Sequence, residues 1–139
     1  MQLTKNFKLS EFDCKDGTAV PKELIKNVQE LADNLQIIRD RFVKELEFET
    51  PLKITSGYRT VAYNKKKKGA TNSMHVQGKA SDIVLNDPKL LQHLYILINE
   101  LIDVGDIKAG GCAYYKVTDK RKTPFIHYDI RGVKAKWKT

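Results

Sequence analysis

The sequence predicts an α+β fold, in which helices pack against an antiparallel sheet. Two long segments carry apolar residues at helical spacing, and several short segments show the alternation of a strand. The two kinds of segment do not alternate regularly along the chain, which disfavours a parallel sheet with crossover helices. The 139 residues fit one compact domain, and we expect that domain to span 1–139.

The first helix is predicted after an irregular lead-in of residues 1–20. Pro21 suits the first turn of a helix, and the helical pattern ends near Glu45. The apolar residues of this segment lie three or four positions apart and form one stripe: Leu24, Val28, Leu31, Leu35, Ile38 and Phe42. Such a stripe is typical of a helix face that is buried in the core.

Two strands with a polar loop between them follow the first helix. Residues 52–56 alternate between apolar and polar positions, which indicates a short strand. We expect a loop at 57–78. In the second strand Ala80, Asp82 and Val84 share one face, because successive side chains of a strand point to opposite sides.

The second helix opens at Asp87 and Pro88, where the aspartate can cap the first turn, and it ends at Gly105. Its apolar residues again form one face: Leu90, Leu91, Leu94, Ile98, Leu101 and Ile102. Two further strands are expected near 111–116 and 124–130.

The composition excludes a disordered chain and a membrane-spanning one. The chain is 41% hydrophobic and 30% charged, and it contains no apolar run of membrane-spanning length. Its first residues become charged too early for a signal peptide. We therefore expect synthesis in the cytoplasm, and action at a cell wall only after lysis or through another export route.

The net charge of +8 suits either an anionic partner, such as a cell-wall polymer, or a surface that serves solubility. The lysines at 65–68 could attract such a polymer or could simply be solvated. Aromatic and basic residues are not interleaved as in single-strand binders, so we do not expect nucleic acid as a partner. We expect a monomer.

Three residues are candidates for a metal site: His75, Asp82 and His127. Gly78 permits a tight turn that could bring the first two together. Imidazole nitrogen and carboxylate oxygen are both zinc donors, and three protein ligands leave one coordination position open, as in catalytic sites. Cys14 and Cys112 form no C-x-x-C pair, which disfavours a cysteine site. The sequence does not decide whether the two cysteines are reduced or joined.

The segment around the first two candidates resembles a known signature. Ser73, His75, Gly78, Ala80 and Asp82 follow the pattern S-x-H-x-x-G-x-A-x-D of zinc D-Ala-D-Ala carboxypeptidases and dipeptidases. Phage L-alanyl-D-glutamate endolysins and hedgehog signalling domains are similar around this metal site. Other segments resemble the same family in order along the chain: the lead-in at 7–12, S-G-Y-R at 56–59, F-I-H-Y-D-I-R at 125–131, and Trp137.

This resemblance implies a hedgehog/DD-peptidase-like fold and a zinc ion bound by His75, Asp82 and His127. It also implies hydrolysis of peptide bonds in bacterial peptidoglycan. The bond could be D-Ala-D-Ala, L-Ala-D-Glu or a cross-bridge, and the enzyme could be bacterial or a phage lysis protein. The alternative is a non-catalytic cell-wall-binding module that keeps the fold and the metal site.

The family's general base is often a Glu or Asp three residues before the last histidine, where this chain has Pro124. Asp129 is our replacement candidate, because it lies two residues beyond His127 and therefore on the same face of the strand. It could instead orient the histidine as a hydrogen-bond partner. Asp119 is a weaker candidate for the base.

Three residues are candidates for substrate binding: Arg59, Ser73 and Tyr115. The guanidinium of Arg59 could hold a substrate carboxylate or the oxyanion of the transition state, a catalytic role. Ser73 could position the substrate or cap a turn. Tyr115 ends a glycine-rich strand that resembles the family's, and it could line the cleft or pack in the core.

Overall fold

The computed structural model describes residues 1–139 and contains one four-stranded sheet and three α-helices. The helices are α1 (Ile25–Leu46), α2 (Val61–Lys66) and α3 (Leu91–Val104), and the strands are β1 (Lys53–Ser56), β2 (Ala80–Val84), β3 (Cys112–Tyr115) and β4 (Phe125–Asp129). The strand order is β1-β2-β4-β3, and all neighbouring strands are antiparallel. The predicted α+β fold with an antiparallel sheet is confirmed.

The two long helices lie where the sequence predicts them. A short 3₁₀ turn at Lys22–Leu24 leads into α1, whose apolar stripe is buried apart from Leu24, which is half-buried. The Asp87 side chain accepts a hydrogen bond from the backbone N–H of Lys89, as expected of a cap. Gly105 ends α3 in the left-handed conformation at φ +81°.

None of the helices has both the length and the apolar composition needed to cross a lipid bilayer.

One face of the sheet packs on the apolar core, and the opposite face carries two of the candidate metal ligands. Ile83 of β2 and Ile126 of β4 are paired across the strands, and both belong to the main apolar core together with α1 and α3. The preceding residue of β2 and the following residue of β4, Asp82 and His127, are also paired. Because side chains alternate along a strand, this second pair lies on the opposite face of the sheet.

The predicted loop at 57–78 is wrong in part, because it contains the helix α2. The hydroxyl of Thr60 accepts a hydrogen bond from the backbone N–H of Tyr63 and so caps this helix. Lys65 and Lys66 lie in its last turn, where a positive charge is favourable beside the helix carbonyls. The lysine run is thus partly helical rather than wholly a loop.

The core role of α1 can be tested with a matched pair of substitutions. Leu35 is fully buried, and we expect Leu35→Ala to lower the free energy of unfolding by about 2–5 kcal/mol, through lost burial and the cavity left behind. Ile37 on the same helix is 41% exposed, so Ile37→Ala should change the free energy by no more than about 0.5 kcal/mol. Urea denaturation measures both values, and equal losses would contradict the assigned face.

Candidate metal centre

The side chains of His75, Asp82 and His127 converge on one point. One possible ligand atom from each residue lies within 4.8 Å of the other two. All three residues are buried, with between 3% and 9% of their surface exposed. The pairing of β2 with β4 places Asp82 directly beside His127, and the loop before β2 supplies His75.

The turn that carries His75 depends on Gly78, as the sequence predicts. Gly78 has φ +70°, a conformation that residues with side chains rarely adopt, and its N–H donates to the carbonyl of His75 at 3.2 Å. The backbone N–H of Arg59 donates to the same carbonyl at 3.0 Å. These two bonds fix the backbone of His75 between the segment after β1 and the start of β2.

The protonation of the His75 ring follows from its hydrogen bond to the backbone. Its Nδ1 lies 2.7 Å from the carbonyl oxygen of Gly57, which can only accept, so Nδ1 carries the proton. In the neutral ring Nε2 therefore presents its lone pair, and this atom lies 3.3 Å from Oδ1 of Asp82.

His127 is oriented in the same way by Asp129. Its Nε2 lies 2.7 Å from Oδ2 of Asp129, so in the neutral ring Nε2 carries the proton and Nδ1 presents the lone pair. This Nδ1 lies 3.3 Å from the same Oδ1 of Asp82 that His75 contacts. Two imidazole lone pairs and one carboxylate oxygen therefore meet at a single place.

The contacts within the cluster shift the pKa values of Asp82 and His127. Burial raises the pKa of the Asp82 carboxyl, but its contacts with His127 and His75 outweigh burial and lower that pKa overall. Burial lowers the pKa of His127, but hydrogen bonds to Asp129 and Asp82 outweigh it and raise that pKa overall. A cation bound at this place would balance the negative charge of the buried Asp82 carboxylate.

The donor set fits a divalent cation that keeps an open coordination position. Two nitrogen donors and one oxygen donor converge, and no fourth histidine, cysteine or carboxylate joins them. Three protein ligands with a free position are typical of catalytic metal sites, whereas structural sites are usually closed by a fourth ligand.

The cluster lies in a cleft of about 670 Å³. The residues that line it come from two parts of the chain: Arg59, Lys67, Lys68, Gly69, Ala70, Asn72, Ser73, Met74, His75 and Asp82 from the first, and Tyr115, Arg121, Phe125, His127, Arg131 and Trp137 from the second. All three residues predicted to bind substrate are among them. Asp119 is exposed and does not line the cleft.

Arg59 is held against the cluster rather than free in the cleft. Its guanidinium donates to Oγ of Ser56 at 3.0 Å and to Oδ1 of Asn64 at 3.2 Å, and Nη2 lies 3.4 Å from Oδ2 of Asp82. Arginine has five N–H donors, so two remain for a ligand.

Asn64 is a residue that the sequence reasoning missed. It is 4% exposed and links Arg59 to the backbone of Ala70.

Ser73 and Tyr115 have visible structural roles in the cleft wall. Ser73 Oγ accepts a hydrogen bond from the backbone N–H of His75 at 3.2 Å, which is the turn-capping role. Tyr115 is half-buried and stacks on Phe125, with 4.6 Å between ring centroids. The indole N–H of Trp137 donates to the Tyr115 hydroxyl at 2.7 Å.

Asp129 lies behind His127, on the side away from Asp82. Its fully buried carboxylate accepts hydrogen bonds from Nε and Nη2 of Arg131 at 2.9 and 2.7 Å and from the backbone N–H of Gly111 at 2.9 Å. Gly111 permits this approach, since a Cβ there would lie 2.5 Å from Oδ2 of Asp129. Asp129 does not line the cleft, so the geometry favours the orienting role over that of a base.

Cys14 and Cys112 are both buried and unpaired, so they form no disulfide in this structure. His93 lies on α3, and its Nε2 is 3.5 Å from Oε1 of Glu45. Both cysteines and His93 therefore lie outside the cluster of candidate metal ligands.

Comparison with known proteins identifies the family. The model of the Peptidase M15 family matches residues 4–98, well over half of the chain, and this range includes His75 and Asp82. It ends before His127, whose place in the cluster comes from the structure. No curated protein and no solved structure gives a significant match to the chain. On the family match, the chain belongs to the Peptidase M15 family of metal-dependent peptidases.

Proposed function

We propose that this chain is a zinc peptidase that hydrolyses peptide bonds of bacterial peptidoglycan, with His75, Asp82 and His127 as the zinc ligands. The observation that carries the proposal is the three-donor cluster in an open cleft. The family match supports peptide-bond hydrolysis, and the net charge of +8 suits work on an anionic wall.

Zinc is the proposed metal because two imidazoles and one carboxylate are a common ligand set for it. Bound zinc would act as a Lewis acid on the peptide carbonyl and lower the pKa of a coordinated water to about 7. The chain's own residues would supply orientation and charge.

We assign Asp129 a positioning role and Arg59 a binding role. Asp129 fixes the His127 ring so that Nδ1 faces Asp82, which is the orientation a metal ligand needs. Arg59 donates to Oδ2 of Asp82, the carboxylate oxygen that the histidines do not contact. It keeps two N–H donors for a substrate carboxylate or for the oxyanion of the transition state. Ser73 and Tyr115 would line the substrate's path.

A second candidate function is a wall-binding module without catalysis. Apart from Asp82, no acidic residue lines the cleft, and Pro124 occupies the position where the family often has its base. A positioned general base contributes about 10²–10⁴-fold to a rate, so its absence would slow hydrolysis strongly. The same cleft could bind wall peptides without turning them over.

Hydrolysis separates the two candidates. We expect the zinc-loaded protein to release new amino termini from purified peptidoglycan, and a chelator should abolish this release until zinc is restored. Mass analysis of the products from defined stem peptides would identify the bond. Tight wall binding without any product at all would support the binding module instead.

The proposed ligands can be tested by metal binding alone. We expect His75→Gln and His127→Gln to weaken zinc binding by at least about 100-fold, because each removes a donor from the cluster. His93→Gln is the matched control, since His93 lies outside the cluster, and it should bind zinc as the wild type does. Titration calorimetry measures the affinities, and an unchanged affinity in either cluster variant would contradict the assignment.

Wild-type zinc affinity should also fall as the pH is lowered, because the metal competes with the proton on His127, whose pKa is raised.

The role of Asp129 can be compared with that of Asp119. We expect Asp129→Asn to weaken zinc binding about 10–100-fold, because the His127 ring loses its charged partner. Asp119→Asn should leave both zinc binding and hydrolysis unchanged, since Asp119 is exposed and outside the cleft. An Asp129→Asn protein with normal zinc affinity and no activity would instead identify Asp129 as the base.

A further inference from the structure

Most of the charged residues that line the cleft are positive. Five of the lining residues are cations: Arg59, Lys67, Lys68, Arg121 and Arg131. The only acidic residue among them is Asp82. A cleft lined by one sign of charge concentrates ligands of the opposite sign.

Two of these cations already have carboxylate partners. Arg59 contacts Asp82 at 3.4 Å, and Arg131 makes two hydrogen bonds to Asp129. Their charges are therefore largely balanced within the protein.

The other three cations, Lys67, Lys68 and Arg121, have no acidic group within 4.0 Å. The two lysines are exposed, and the ammonium of Lys67 lies 5.4 Å from the centre of the Tyr63 ring. Exposed lysines of this kind raise the potential of the cleft, but they do not by themselves define a site.

Arg121, in contrast, is half-buried and held in place on an aromatic platform. Its guanidinium carbon lies 4.9 Å from the centre of the Tyr115 ring and 5.8 Å from that of Phe125. The two rings are stacked nearly parallel, at 13°. Nη1 donates to the carbonyl of Lys116 at 2.8 Å. Contact with these rings and this hydrogen bond limit the movement of the guanidinium.

A fixed guanidinium with free donors is suited to a planar anion. Only one N–H of the Arg121 side chain is used within the protein, so four remain available. Such a fork can form two parallel hydrogen bonds with a carboxylate, and little side-chain freedom is lost on binding, because the group is already ordered.

We propose that Arg121 binds a carboxylate of the substrate peptide that is separate from the bond to be hydrolysed. Peptides with a free internal carboxylate are then preferred over the same peptides with an amide there. Lys67 and Lys68 add long-range attraction without a fixed contact. This inference rests on the proposed peptidase function for its choice of ligand, whereas the site itself rests on the geometry of Arg121.

The test is a pair of synthetic stem pentapeptides that differ at one γ-linked glutamate, whose α-carboxylate is either free or amidated. Binding to the full chain is measured by calorimetry at low salt, after treatment with a chelator so that no hydrolysis occurs. We expect the wild type to bind the carboxylate form about tenfold more tightly, as for a charge-assisted bidentate pair. Arg121→Gln should bring the ratio close to one.

Lys120→Gln is the matched control, because Lys120 is the neighbouring cation, is exposed and does not line the cleft. It should keep the tenfold ratio. Arg121→Lys, which keeps the charge but not the fork, should keep only part of it. Thermal unfolding verifies that the variants are folded, as expected for a residue in the loop between β3 and β4.

The proposal is overturned if the wild type binds the two peptides equally or fails to bind the carboxylate form at millimolar concentration. It is also overturned if Arg121→Gln keeps the preference. A separate incubation with zinc reports on hydrolysis. A clear carboxylate preference without hydrolysis would refute the proposed function and leave the Arg121 site standing.

Discussion

The register between β2 and β4 is the constraint on which the rest of the site depends. Asp82 pairs with His127 and Ile83 pairs with Ile126, so one register serves the cleft and the core together. Because side chains alternate along a strand, a slip of one residue would bury the polar pair among the helices and expose the isoleucines. The apolar core therefore fixes the position of the candidate metal ligands, although no residue of the core lines the cleft.

The buried charges around the cluster form a connected series. Asp129 holds His127, both histidines contact Asp82, and arginines flank the two carboxylates. Removing a partner of Asp82 or Asp129 would leave a buried carboxylate with fewer hydrogen bonds, which is destabilising. Within this series Asp129 fixes which nitrogen of the His127 ring carries the proton, whereas the backbone carbonyl of Gly57 does so for His75. The same hydrogen bonds thus support both the stability of the protein and the geometry of the candidate metal ligands. A single substitution among these residues is expected to change both.

The spacing of apolar residues predicted the long helices, which each bury one face. It did not predict which way a polar side chain points or which atom it contacts. The stripe from Val28 to Phe42 predicted α1, because one face of a long helix must be apolar. The short helix α2 was missed, because its lysines resemble a solvated loop and its only clear start signal is Thr60. Alternation placed Asp129 on the face of His127 but could not tell which ring nitrogen it would meet. Asn64 carries no pattern at all, and only the fold shows its bond to Arg59.

Charge balance would link metal binding at the cluster to binding of the proposed substrate. The cleft already carries more positive than negative groups, and a divalent cation at the cluster would increase this excess. An anionic peptide would reduce it, so each ligand should strengthen the binding of the other, and linkage requires that the effect be equal in both directions. If the proposed acidic peptide is the substrate, it would bring negative charge to a cleft whose lining is mostly positive. With Asp82 as the one acidic residue of its lining, the cleft would repel an acidic peptide less than a cleft with a second carboxylate would.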